Sequence, residues 1–208
     1  MGGEQMRLDR PIAGNPWPHD MVIRVEDHPH HLNLLLFVRE AWSLAGDMDI
    51  PPLEPNPDVG RSRMPDTPGA ATWDERWKTA WNQAWSWFDI EERNHHPSPG
   101  KMRGADAPGQ DVNPFIPPFW TQRFQWDGLD REAYRAWERR LMPGFPHDAE
   151  RRSLQDLIPA WRSGIDTIIV LPYRGYFAHR LSRQRLVVSA ETRNHPNDYS
   201  RALRECTG

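Results

Sequence analysis

The chain has 208 residues, 38% of them apolar and 26% charged, with 26 Lys and Arg against 29 Asp and Glu for a net charge of -3. That length suits a single domain over residues 1–208 with a core of its own. The near-even charge excludes a global basic surface for nucleic acid. The lone Cys206 excludes an intramolecular disulfide, and no apolar run approaches the roughly 20 residues that span a bilayer.

Two residue types stand out, with 11 Trp and 21 Pro in the chain. Arg outnumbers Lys heavily, only Lys78 and Lys101 being Lys, as in GC-rich bacterial coding. No charged-then-apolar leader is read at the start, so a soluble cytoplasmic protein is expected.

In chain order, residues 1–20 are rich in Gly and Pro and are expected to be irregular or mobile. Met21 to Val25 reads as a short strand. Pro29 suits the first turn of a helix running to about Ala45, with Leu32, Leu35, Leu36 and Trp42 on its apolar face and Gly46 as its terminating residue. Residues 47–71 carry Pro51, Pro52, Pro55, Pro57, Pro65 and Pro68, which leaves no room for a regular element. Thr72-Trp73-Asp74-Glu75 has the form of a capping box and opens a helix to about Glu92. On it Trp73, Trp77, Trp81 and Trp85 recur every four residues and drift across about 120° of its circumference.

Residues 94–119 read as a second long loop. Its polar first part, through residue 110, is expected to be mobile; Pro114 to Trp120 is expected to lie extended against rings. Asp130 caps a third helix to about Met142, with Leu129 and Tyr134 as a hydrophobic staple. Asp148 opens a fourth helix ending near Gly164, which Pro159 is expected to shorten or kink. Thr167 to Leu171 is a β-branched run typical of a buried strand. Tyr176–Leu181 and Arg185–Ser189 form a hairpin through 182–184, and Asn197 or Asp198 starts a last short helix. The order of elements predicts an α+β fold: a small sheet made of the N-terminal strand and the C-terminal strands, packed against about four helices with long Pro-rich loops.

The standard phosphate-loop, dinucleotide, zinc-protease, nucleophile-elbow and paired CxxC signatures are absent from the sequence, and no cofactor is expected. His28, His30 and His31 cluster beside Asp27. A metal reading of them needs a further ligand such as His19, His95 or His96, whereas the plainer reading is a polar helix start, and no metal site is assigned. Glu92-x-x-His95 has the spacing of di-iron bundles but lacks a matching second motif. Cys206 reads as an inert thiol near a chain end.

Two sets of residues remain as candidate binding sites. Tyr173, Arg174, Tyr176, His179, Arg180 and Arg193 follow the buried strand and would suit an anion, a phosphorylated ligand or a nucleic-acid backbone. Glu191 and Asp198 flank them as acid–base partners for His179, and the plainer reading is an Arg-rich sheet edge. Trp77, Trp81 and Trp85 would serve as the core, or as core with one edge, Trp81 and Trp85, left open as an interface. The sequence therefore favours a soluble, non-enzymatic protein-interaction module with an aromatic, Trp- and Pro-rich platform that meets another protein or a second copy. The alternatives are an anion- or nucleic-acid-binding domain, with or without activity on a phosphorylated substrate, and a metal-dependent enzyme built on the His28 cluster.

Overall fold

The computed structural model describes residues 16–66, 71–95, 117–142 and 148–207. Along them run β1 (Arg24–Glu26), α1 (His30–Trp42), α2 (Trp73–His95), α3 (Trp120–Phe124), α4 (Arg131–Leu141), α5 (Ala149–Arg152) and α6 (Leu154–Arg162). β2 (Thr167–Leu171), β3 (Ala178–Arg180), β4 (Arg185–Ser189), α7 (Ala190–Asn194) and α8 (Pro196–Glu205) complete the chain. Helices and one small mixed sheet give the expected α+β class. The chain divides into two compact units. One is Pro29–Met142, with α1 to α4; the other joins Met1–His28 to Pro143–Gly208 and, among the described residues, holds β1 to β4 together with α5 to α8.

In the sheet unit the strand order is β1-β2-β4-β3. The N-terminal strand does join the C-terminal ones: β1 runs parallel to β2, and β2 parallel to β4. The predicted hairpin is present, β3 pairing antiparallel with β4 on the outer edge. Every residue of β2 and β4 is buried, as strands covered on both faces require. Ile168, Val170, Leu186 and Val188 share one core cluster with Leu157 and Ala160 of α6 and Tyr199, Ala202 and Leu203 of α8.

Several boundaries differ from the sequence reading for local reasons. The predicted fourth helix is two, because the chain turns at Ser153 between α5 and α6, and Asp148 makes no side-chain cap there. Pro159 sits inside α6 without ending it. A further helix, α7, lies where none was expected: the Ser189 hydroxyl, at the end of β4, accepts the Thr192 N–H and caps it. The last helix begins at Pro196 rather than at Asn197 or Asp198, since a proline at the first helical position lacks only an N–H that has no helical partner anyway.

In the helical unit, α1 is central rather than amphipathic. All eight residues from His31 to Val38 are buried, and α2, α3 and α4 each pack on it. Its end is also earlier than expected. Ser43 takes the left-handed conformation and Ala45 follows at φ 52. The turn buries Leu44 and Ala45 at once, and the Ala45 N–H is taken up by Asp74 Oδ1 at 2.6 Å. Those contacts outweigh the left-handed strain that Gly46 would have avoided. The capping box of α2 is confirmed: Glu75 N–H donates to Thr72 Oγ1 at 3.2 Å, and Thr72 N–H donates to Glu75 Oε2 at 2.7 Å. The Asp130 cap of α4 is confirmed too, its carboxylate accepting the Glu132 and Ala133 N–H groups. Of the extended strip, Pro114 to Ile116 lies outside the described residues; residues 117–119 are non-helical, and Trp120 opens the short α3, which was not predicted.

No helix forms between residues 47 and 66, so the carbonyls there need partners other than a helical ladder. Arg39 and Arg140 donate to the Ile50 and Asn56 carbonyls, and indole N–H groups supply two more. Trp137 donates to Pro55 O at 2.6 Å and Trp73 to Pro65 O at 2.8 Å. Trp42 donates in the same way to Gly128 O at 3.3 Å, and Trp77 to Leu35 O of α1 at 2.8 Å. Each such bond contributes about 1 kcal/mol net, and more is lost when one partner is left behind unpaired. Trp137→Phe keeps most of the ring and deletes the donor. It is predicted to lower the unfolding free energy by about 1–3 kcal/mol in urea titrations, against less than about 1 kcal/mol for Trp85→Phe.

Candidate functional site

The tryptophan row of α2 is mostly interior. Trp73, Trp77 and Trp81 are 6%, 0% and 6% exposed, while Trp85 is half-buried. Trp77 and Trp81 stack at 5.1 Å between centroids with planes 15° apart, and Trp85 meets Trp81 edge-on at 5.5 Å. Trp73 continues into a second group of rings, with Trp42, Trp120 and Phe124 at 4.4–6.1 Å. Of the three candidate interface residues, Trp77 and Trp81 thus stand behind the surface, and Trp85 alone reaches it. Gln83, on another side of the same helix, accepts a hydrogen bond from Arg123 of α3 at 3.2 Å.

The histidines beside Asp27 differ in burial. His28 is half-buried at the end of its unit. His30 is exposed at the start of α1, with Nδ1 2.7 Å from Glu138 Oε1 of α4, and Tyr134 donates its hydroxyl to the same oxygen. His31 is buried against Trp87, Phe88 and Phe119 at 5.5–6.2 Å. Burial, helped by the neighbouring His30, pushes the His31 pKa down to about 4. His31 Nε2 and Trp87 Nε1 are both buried with no hydrogen-bond partner among the described residues. Of the further ligands considered, His19 lies 3.8 Å from Asp20 at the surface. The side chains of Glu92 and His95, and all of His96, lie outside the described residues.

The Tyr173–Arg180 segment does not present six groups to one ligand. Tyr173 is buried with its ring 4.9 Å from Phe177. Arg180 donates to the carbonyls of Ser182, Arg183, Ser163 and Cys206, so it ties the end of α8 to the hairpin. Arg193 is buried in a bidentate pair with Glu150, both bonds 2.8 Å, and Tyr199 donates to the same carboxylate at 3.2 Å. Burial works against the Arg193 charge, yet Glu150 holds its pKa above the usual value. Tyr176 donates to Glu205 Oε2 at 2.6 Å under the guanidinium of Arg201, and burial with that bond pushes its pKa up to about 12. Arg174, Tyr176 and His179 stay exposed.

Glu191 accepts the Gly175 N–H at 2.7 Å, and no hydrogen bond or ion pair joins His179 to Glu191 or Asp198 among the described residues. Cys206 is buried with its thiol donating to Leu203 O, and burial raises its pKa, which fits an inert thiol. Sequence reasoning missed Glu150 and Glu138 as partners because nothing in local spacing marks a carboxylate 43 or 108 residues away. The Arg201–Glu205 pair, at i,i+4 on one helix, was legible.

Shallow surface grooves of about 340 and 330 Å³ lie around α4. Arg61, Asp130, Arg131 and Glu132 are among the residues lining the first, and Asp58, Glu132, Trp137 and Arg140 among those lining the second. Neither contains a residue from the three candidate sets. No family model, curated protein or solved structure matches the chain.

Two outcomes follow from the buried polar groups. The native state takes up a proton at His31 only near pH 4, whereas the unfolded chain does so near 6.5. Stability is therefore intact above about pH 6.5 and falls as the pH drops toward 4, by roughly 3 kcal/mol at the low end. Urea unfolding across pH should show this loss, and His31→Leu should flatten it; an unchanged profile in the variant would contradict the assignment. Glu150→Ala leaves Arg193 charged and buried and is predicted to cost about 3–5 kcal/mol, while the double change Glu150→Leu with Arg193→Met costs clearly less. Equilibrium unfolding of the two variants decides the point.

Proposed function

We propose that the protein works by binding another protein, or a second copy of itself, through the outer end of the tryptophan row with Trp85 as the anchor. The observation that carries this reading is the step in burial along α2. Trp77 and Trp81 are interior and stacked, and the next ring in register is half-buried and held edge-on by the one beneath it. A large ring fixed in this way loses little conformational freedom on binding. Trp is also the side chain most often found at the energetic centre of an interface. Trp77 and Trp81 then act as supports that hold Trp85 in place, not as contacts.

The rival anion-binding reading rests on fewer groups. Arg180 and Arg193 are engaged within the protein, which leaves Arg174, Tyr176 and His179 as its exposed members. No helix among the described residues is long and apolar enough to cross a membrane. The proposed setting is the cytoplasm, with a soluble protein as partner.

A photo-crosslinking amino acid at position 85, introduced in the source cell, is expected to give discrete higher-mass adducts. The same group at exposed Thr79, on another face of α2, is expected to give none. Equal yields at both positions, or no adduct at position 85, would overturn the proposal.

A further inference from the structure

We draw no further inference here: the strongest candidate, the side-chain cluster of His30, Tyr134 and Glu138 on α1 and α4, brings only two metal-ligating groups of its own unit together, and nothing in the structure shows what would occupy it.

Discussion

A proline-rich segment satisfies few of its own carbonyls, and this constraint governs the helical unit. Between residues 47 and 66 the backbone forms no helical ladder, yet parts of it, such as Leu53, are fully buried. Tryptophans of α2 and α4 relieve part of the difficulty because an indole is a large apolar plate with one N–H at its edge. The plate fills the core, and the N–H reaches a loop carbonyl: Trp73 to Pro65, Trp137 to Pro55, Trp42 to Gly128. Phenylalanine would supply area without the donor. At Pro55 and Pro65 the Trp and the Pro are thus two sides of one arrangement.

The same logic places α1. With Leu32, Leu34, Leu35, Leu36, Phe37 and Val38 buried on all sides, it is the axis on which α2, α3 and α4 pack. Trp77 donates even to its Leu35 carbonyl. His31 and Asn33 are buried with it because the helix has no solvent face from His31 to Val38. A histidine packed beside aromatic rings, with its pKa lowered by burial, is the consequence. In the sheet unit the comparable device is ionic. Arg193, Glu150 and Tyr199 join α7, α5 and α8, and Arg180 closes the hairpin onto the end of α8.

What the sequence revealed was local. The Thr72–Glu75 box, the Asp130 cap, the β2 run and the hairpin all follow from spacings of a few residues, and the structure bears each of them out. The joining of β1 to β2 was legible because a lone N-terminal strand needs a sheet. Long-range partners were not legible. Arg174, Arg180 and Arg193 look alike in a sequence, but one is exposed, one gathers carbonyls and one is held by Glu150. The row Trp77–Trp81–Trp85 likewise reads as uniform, and only packing separates two supports from one surface ring. Helix ends depended on neighbours: Ser43 ends α1 because Leu44 must be buried and Asp74 waits for the Ala45 N–H.

The central claim is that the indole N–H groups hold the loops while Trp85 stands outside that role. Hydrogen exchange of the indole Nε1 protons, resolved by NMR, tests it most directly. The account predicts slow exchange for Trp73, Trp77 and Trp137, approaching that of the core amides, and fast exchange for Trp85. Exchange of the Trp73 and Trp137 indoles at the rate of a free side chain would contradict it.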